Sequence, residues 1–217
     1  MHPFGTHAII GAAVAAARLS GFTVDEIAEV IELSAGLALA SSQTAANSGA
    51  SVRNAVTGLT AMNGVLAPIL LRAGVTPEPD AVATVFGRVL GDNFDPTRPD
   101  ARLGEDHYLL RNYFKIYACS RWNHAPIEAT IAAMAVRQFA VSEISDIVVW
   151  TFDPATRLSW QRPVNAFAAK HSIPFNVAVR LVKNSNGLEA FTQAFVEDAD
   201  ICKLMSRIEV REDPAYT

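Results

Sequence analysis

"EISDIVVWTFD" at residues 143–153 decides the fold class, because it is the clearest strand signal in a chain whose other long patterns are mostly helical. Side chains over 147–151 alternate between two faces, and the β-branched and aromatic residues there favour an extended backbone. "RIEVRE" at 207–212 predicts another strand near the end of the sequence. The sequence therefore predicts an α+β fold with a short, mainly antiparallel sheet.

Further elements are predicted around these two strands. "YLLRNYFKIYACS" at 108–120 is rich in aromatic and branched residues, which are typical of a strand. Helical patterns follow at 125–139 and near 197–206. Another helical pattern lies on both sides of Pro174, which is expected to interrupt it. The second half of the chain is thus predicted to run β-α-β-α-α-β.

The first half is predicted to begin with a helical hairpin over residues 6–36. Its first helix is rich in alanine, the best helix former, and Gly21 follows as a stop signal. "TVDE" at 23–26 then predicts a capping box, in which Thr23 and Glu26 each satisfy the other's backbone N–H.

A longer helical pattern covers residues 50–73, and a short helix is predicted at 79–90. Pro68 favours a kink in the longer helix. Gly58 and Gly64 lie inside it, and such glycines indicate close packing against a neighbouring helix.

The change in style along the chain predicts two domains. Residues 93–107 are polar, contain proline and are irregular, which is typical of a domain junction. We therefore expect a helical domain over 1–92, truncated at its N-terminal side, and a small α+β domain over 108–217.

Composition excludes several classes of protein. Half of the residues are hydrophobic and 18% are charged, which is typical of a globular protein, and the net charge of −4 gives no reason to expect nucleic acid or an anionic membrane as a partner. Cys119 and Cys202 are the only cysteines. They are too few for a disulfide framework, an iron–sulfur cluster or a thiolate zinc site, so we expect a reducing compartment and no metal.

"MHPFGTHAIIGAAVAAARLSG" at 1–21 superficially resembles a secretory signal. It has an apolar run but no Lys or Arg before that run. No apolar run reaches the roughly 18 to 20 residues that span a bilayer. The sequence therefore predicts a cytoplasmic protein.

Three cationic or imidazole side chains lie close together in "FKIYACSRWNH" at 114–124. Lys115, Arg121 and His124 precede a predicted helix, and a helix N-terminus favours anions. The segment would therefore suit a carboxylate substrate. The alternative is equally compatible with the residues: Lys115 and Arg121 are solvated and His124 caps the helix.

Other polar residues are weaker candidates when taken alone. Arg53 lies in a first helical turn and could clamp a carboxylate, although a surface arginine is the commoner case. His171 stands before a proline and could face a cleft or end a helix. His7 is expected to be a surface or satisfied histidine, and Cys119 with His124 lacks a third metal ligand.

Four ordered stretches together resemble the 2-methylcitrate dehydratase family, also called MmgE/PrpD. The most specific is "FKIYACSRWNHAPIEA", which is similar to the family's FK-x-Y-x-C-C-R-x-x-H signature. The other three are "HPFGTHAIIGAAVAAARL", "GASVRNAVTGLTAMNG" and "AAKHSIPFNVAVRLV".

The resemblance implies a helical domain and an α+β domain with an active site in the cleft between them. It implies a cofactor-independent lyase that acts on a small di- or tricarboxylate by dehydration, with decarboxylation and epimerisation as alternative reactions in the same family. By motif, the catalytic residues would be His2, Lys115 and His124. The substrate-binding residues would be Arg53, Arg121 and His171.

Several departures from the family pattern accompany the resemblance. Arg53 stands where several members have Lys, Phe175 where Tyr is common, and Phe4 where a Thr is usual. Family members also extend further in both directions, so we expect this chain to correspond to an internal or C-terminal portion. The helices over 6–36 and 50–73 should then expose apolar faces.

An alternative hypothesis follows from that shorter length. The chain would be a non-catalytic copy, or one subunit of a split family member that binds a complementary chain. A homodimer is the other expected form of association.

Overall fold

The computed structural model describes residues 2–92, 94–95, 97–98 and 102–217. These residues form two compact units. The first unit contains residues 1–43 and 52–112, and the second contains residues 44–51 and 113–217. Positions 93, 96 and 99–101 of the predicted junction lie outside the described residues.

Three α-helices build the first unit. They are α1 (Ala8–Leu19), α2 (Val24–Gly36) and α3 (Val52–Arg72). This unit also contains the 3₁₀-helices Pro3–Gly5 and Tyr108–Arg111 and a π-helix at Ala83–Val89. The 3₁₀-helix Gln43–Ala45 lies where the chain passes from the first unit into the second.

The predicted capping box opens α2. The Thr23 backbone N–H donates to Glu26 Oε2 at 2.7 Å, and the Glu26 N–H donates to Thr23 Oγ1 at 3.3 Å. A small core then joins the three helices through Ala13, Phe22, Val30 and related residues. The predicted helical hairpin is confirmed.

Helix α3 is covered on one side only. Its buried residues are Thr60, Gly64, Ala67 and Pro68. Gly64 allows close contact with α1, because an added Cβ would lie 2.7 Å from the Ile9 carbonyl oxygen. By length and composition alone α3 could cross a membrane, yet a helix in the core of a globular protein meets the same criterion.

The second unit alternates short helices with two strands. Its elements are α4 (His124–Val136), β1 (Ile147–Thr151), α5 (Asp153–Thr156), α6 (Ala166–Ala169), α7 (Ile173–Lys183), α8 (Gln193–Val196), α9 (Ala199–Met205) and β2 (Ile208–Glu212). The 3₁₀-helices are Arg121–Asn123, Val141–Glu143, Leu188–Ala190 and Pro214–Tyr216. The strands predicted from "EISDIVVWTFD" and "RIEVRE" are confirmed.

The predicted antiparallel sheet is wrong. Strands β1 and β2 pair in parallel, with Ile147 opposite Ile208 and Thr151 opposite Glu212. Five α-helices and one 3₁₀-helix separate the two strands along the chain, and a connection of that length suits a parallel crossover rather than a hairpin.

The strand predicted at 108–120 is also wrong. Residues 108–111 form a 3₁₀-helix, and residues 112–120 have no regular structure. Phe114 is 99% exposed and Leu110 82% exposed. Because no strand in the described part of the chain pairs with this segment, its aromatic and branched residues do not produce a strand.

Helix α7 forms the centre of the second core. Ser172 caps its N-terminus by accepting the Phe175 N–H at 3.0 Å, and Pro174 occupies a first-turn position, where proline is tolerated. Pro174 therefore helps to start this helix rather than interrupting one. Residues 172–179 are all buried, and Phe175 packs 6.1 Å from Phe191 between ring centroids.

Candidate functional site

The structure brings His2 and Arg53 together in the first unit. Arg53 lies in the first turn of α3, and its Nη2 is 3.3 Å from His2 Nε2. The Arg53 guanidinium also lies over the Phe4 ring, 5.1 Å from the centroid. Arg53 Nε is buried without a hydrogen-bond partner, and no carboxylate among the described residues forms an ion pair with Arg53. Its positive charge is therefore not neutralised locally.

The surroundings of His2 disfavour the protonated form of its imidazole. Its Nδ1 accepts the Phe4 backbone N–H at 3.2 Å, and its Nε2 faces the Arg53 guanidinium, which can only donate. A neutral ring turns its single N–H toward one of these two donors, whereas a protonated ring would turn an N–H toward each of them. Burial, followed by the charge of Arg53, accordingly lowers the pKa of His2.

In the second unit, the Lys170 carbonyl fixes the segment that carries the other candidates. It accepts the Ser120 backbone N–H at 2.8 Å and the Asn123 Nδ2 at 2.9 Å. The Ala118 N–H reaches the Asn186 carbonyl at 3.3 Å. The segments at 114–124 and 168–178, which the sequence singled out separately, therefore meet.

His124 is the first residue of α4 and is buried, with only 5% of its surface exposed. The Tyr117 ring packs against it edge-on at 5.2 Å between centroids. Its Nε2 is buried and has no partner among the described residues. A buried imidazole nitrogen without a partner calls for an explanation, and a role in binding or deprotonating a ligand is one that fits its chemistry.

Two cations act on His124. Burial is the largest cause that lowers the pKa of His124, and the positive charges of Arg121 and Lys115 lower it further. The backbone carbonyls of Tyr117 and Cys119 oppose this effect. The ring is therefore neutral near pH 7 and can accept a proton. Lys115 and Arg121 are exposed, and neither forms an ion pair in the described part of the chain.

Cys119 lies beside this cluster but has no nucleophilic character. Burial raises the pKa of its thiol to about 12, so the thiolate is absent at neutral pH. Among residues 2–92, 94–95, 97–98 and 102–217, no group of three His, Cys, Asp or Glu side chains could hold a metal ion.

His171 is oriented by its own helical segment. Its Nδ1 lies 3.1 Å from the Phe167 carbonyl oxygen, and its ring is 5.3 Å from the Phe167 ring between centroids. Its proposed contact with substrate stays a prediction.

Asn123 is a candidate that the sequence did not reveal. It is fully buried, and its Oδ1 has no described partner while its Nδ2 holds the Lys170 carbonyl. In the sequence, the position of Asn123 next to His124 at a helix start predicts a helix cap. In the structure, the Asn123 side chain makes no capping hydrogen bond. Only its burial marks Asn123 as a candidate site residue.

A cavity of about 580 Å³ lies between α4 and β1 in the second unit. Residues such as Phe139, Ile147 and Val177 line it, and no charged side chain does. None of the six predicted site residues contributes to its walls. It therefore does not suit a polycarboxylate.

Comparison with known protein families gives a match in the second half of the chain. Residues 117–217 match the family model described as MmgE/PrpD C-terminal domain. The match includes Arg121, His124 and His171 and confirms the family resemblance for this region, whereas Lys115, Arg53 and His2 lie outside it. No curated protein matches the chain.

Proposed function

We propose that this chain, whose residues 117–217 match the MmgE/PrpD C-terminal domain model, is a cofactor-independent lyase of the 2-methylcitrate dehydratase type that acts on a small di- or tricarboxylate. The observation that carries the proposal is the buried His124 Nε2, which has no described partner and lies in the field of two cations. Few structural roles require a buried imidazole to keep a nitrogen free.

The residue types suit proton abstraction next to a carboxylate. Arg121 binds a substrate carboxylate, and neutral His124 accepts the proton from the neighbouring carbon. The negative charge that develops on the substrate is stabilised by Lys115. His2 and Arg53 offer a second neutral imidazole beside a cation in the first unit, but Arg53 cannot act as a base.

Decarboxylation and epimerisation are alternative reactions for the same residues. Each builds negative charge next to a carboxylate, so each needs the same cations. The three reactions differ in what leaves the substrate: in dehydration the hydroxyl group leaves with a proton as water, in decarboxylation carbon dioxide leaves, and in epimerisation a proton leaves and one is returned to the opposite face.

A non-catalytic role is the second candidate. The apolar side of α3 that faces away from α1 favours it, because exposed apolar surface marks sites of protein association. In that case the chain would bind a complementary chain and would have no turnover of its own.

Proton NMR of the full chain with 2-methylcitrate, citrate and cis-aconitate in deuterated buffer tests the proposal. Loss of the hydroxyl group, loss of a carboxylate, or exchange of the proton next to the carboxylate would identify the three reactions separately. The expected result is turnover or exchange with at least one compound. Thermal-shift measurements with the same compounds report binding without turnover.

Three variants assign the roles. His124→Gln should abolish turnover, and Arg121→Gln and Lys115→Gln should each lower kcat/KM by about 10- to 1000-fold. Matched controls are His107→Gln, Arg137→Gln and Lys203→Gln, which change exposed residues of the same types and should leave kcat/KM unchanged.

The pH dependence tests the base directly. A neutral base gives a kcat/KM that rises with pH through its pKa in the free protein. Because the pKa of His124 is lowered below 6.5, this rise should lie below pH 6.5. Absence of turnover, exchange and stabilisation with all three compounds would overturn the lyase proposal and favour the binding role.

A further inference from the structure

The cavity between α4 and β1 follows one edge of the two-stranded sheet. Every residue from Ile147 to Phe152 lines it, so residues from both faces of β1 border the same space. Successive side chains of a strand point to opposite faces, so a space that all of them share lies beside the strand rather than above or below it. Strand β2 occupies the other side of β1. The cavity therefore lies where a further strand would lie.

The backbone of β1 has unpaired groups on this edge. The Ile147 N–H donates to the Arg207 carbonyl at 3.0 Å, so every second residue of β1, beginning with Ile147, directs its N–H and C=O groups to β2. Val148 and Trp150 direct theirs to the opposite side, toward the cavity. The described part of the chain supplies no hydrogen-bond partner to them there. These are the groups through which a sheet edge accepts another strand.

The outer edge of β2 is protected, in contrast. Gln161 Nε2 donates to the Ile208 carbonyl there at 2.7 Å. Strand β2 also carries the charged residues Glu209, Arg211 and Glu212, and charged side chains discourage the addition of a further strand. Strand β1 contains no charged residue and no proline, and its sequence IVVWT favours an extended backbone. Of the two edges of this sheet, the β1 edge is the one that is open.

Helix α4 supplies the opposite wall of the cavity with small side chains. Ala125, Ala129 and Ala133 follow one another at intervals of four residues, so they lie in one row along the helix. All three are exposed, and all three line the cavity. A row of methyl groups leaves room for larger side chains from a strand that packs against it. The space beside β1 is therefore apolar on the helix side and has hydrogen-bonding groups on the strand side.

Carboxylates lie at both ends of this edge. Asp146 immediately precedes β1, whereas Asp153 follows its last residue closely and Glu212 lies opposite Thr151 in the ladder. Asp153 pairs with the exposed Arg157 at 3.5 Å, and neither Asp146 nor Glu212 forms an ion pair in the described part of the chain. No charged side chain lines the cavity between them. A complementary ligand is therefore apolar in its middle and basic at its ends.

We propose that an extended segment of a partner protein adds to the open edge of β1 as a third strand. Its backbone exchanges hydrogen bonds with Val148 and Trp150, and its alternate apolar side chains fill the cavity below α4. Lys or Arg residues that flank the segment lie near Asp146 and Glu212. In strand addition of this kind the main chain provides affinity, and the pockets for alternate side chains provide specificity. The inference does not depend on the proposed lyase activity.

Other occupants match the edge less well. Two β1 edges from two copies of this chain would bring Asp146 and Asp153 of one copy close to the same carboxylates of the other, and like charges across an interface oppose binding. A small apolar molecule would fill the cavity, but it would separate the backbone groups of Val148 and Trp150 from water without replacing their hydrogen bonds.

Fluorescence anisotropy of the full chain with a labelled peptide tests the proposal. The probe is acetyl-Lys-Val-Thr-Val-Thr-Val-Lys-amide, which alternates apolar and polar residues between two lysines. Of two peptides that are N-methylated on the valines or on the threonines, one should bind at least about 10-fold more weakly, because alternate residues donate to β1. A peptide with Glu in place of both lysines should also bind more weakly. No binding up to about 1 mM, or equal binding by all four peptides, would overturn the proposal.

Two pairs of variants locate the peptide on the chain. Val148→Pro removes an N–H that points at the cavity and should weaken binding at least about 10-fold, whereas Val148→Thr keeps this N–H and should not. Ala129→Lys introduces a long, positively charged side chain into the α4 wall and should also weaken binding. Ala132→Lys changes an exposed residue of α4 outside the cavity and is its matched control. Binding that survives both Val148→Pro and Ala129→Lys would overturn the proposed site.

Amide hydrogen exchange, followed by NMR, reports the backbone pairing directly. The peptide should slow exchange at the N–H groups of Val148 and Trp150 and leave that of the exposed Leu188 unchanged. Bound peptide without slower exchange at either position would show that it binds without adding a strand and would overturn the proposal. Sedimentation velocity examines the other occupant. A dimer that Val148→Pro dissociates would identify a second copy at this edge and overturn the assignment to a partner protein.

Discussion

Helices α3 and α7 both come from long apolar patterns, but they end in opposite environments. Residues 172–179 at the start of α7 are buried on every side. Only Thr60, Gly64, Ala67 and Pro68 are buried along the 21 residues of α3. Apolar composition therefore did not distinguish the helix that organises a core from the helix that covers one.

What distinguishes α7 is a polar network at its N-terminal end. The Ser172 hydroxyl donates to the Trp160 carbonyl, and Asn176 Nδ2 donates to the Ala169 and Ser172 carbonyls at 3.0 and 2.7 Å. Asn186 then donates to the Asn176 carbonyl at 3.0 Å. Buried polar groups need such partners, so these contacts fix the helix in one position. The exposed side of α3 has no comparable contacts.

The largest expected effect is at Phe175. Phe175→Ala removes a fully buried ring from the second core and should lower the free energy of unfolding by about 3 to 5 kcal/mol. Trp122, Trp150 and Trp160 all lie in the second unit, so tryptophan fluorescence in urea follows this unit alone. Leu188→Ala, at a residue that is 77% exposed, is the control and should change it by less than about 0.5 kcal/mol.

Asn176 should produce the next largest effect. Asn176→Ala removes two buried hydrogen bonds, although the Ala169 and Ser172 carbonyls each keep a backbone N–H donor, so it should cost about 1 to 3 kcal/mol in the same fluorescence measurement. Gln193 also donates through a side-chain amide, but to Glu197 on the surface. Gln193→Ala should therefore be nearly neutral, and equal losses in the two variants would show that burial of the Asn176 network does not stabilise α7.

The sequence predicted most helices, because their signals are local. The capping box of Thr23 and Glu26 and the strand pattern over 147–151 depend on neighbouring residues, and both were confirmed. Strand direction depends on distant pairing, so the parallel arrangement of β1 and β2 was missed. Residues 108–120 have strand-forming side chains, but no strand among the residues that the structure describes pairs with them, and a local pattern does not show this.

The candidate site was predictable only where its residues lie close together in the sequence. The sequence grouped Lys115, Arg121 and His124 because they lie within ten positions, and the structure adds the burial of His124 and its free nitrogen. The contact between His2 and Arg53 joins residues 51 positions apart and followed only from the family resemblance. The role of the Lys170 carbonyl was not predictable, because a backbone acceptor leaves no trace in residue type.

Two glycines on α3 give the sharpest test of its two sides. Gly64→Ala should destabilise the first unit by about 1 to 3 kcal/mol, because its Cβ would meet the Ile9 carbonyl at 2.7 Å. Gly58→Ala should instead stabilise the unit by about 0.5 to 1 kcal/mol, because alanine favours a helix and no atom lies within 4 Å. Far-UV circular dichroism in urea, at a concentration where the chain is monomeric, measures both. Changes of the same sign would contradict the one-sided covering of α3.

The smallest effect is expected at Ile69, and its size decides whether the exposed side of α3 is in contact with water. Ile69 is 60% exposed, so Ile69→Ser should change the free energy of unfolding of the monomer by no more than about 0.5 kcal/mol. Ile173→Ser, at a fully buried residue of α7, should cost several times more. The same dichroism measurement applies to both variants. An isoleucine that is already in contact with water has little apolar burial to lose. A loss at Ile69 as large as that at Ile173 would therefore mean that the chain itself covers this side of α3.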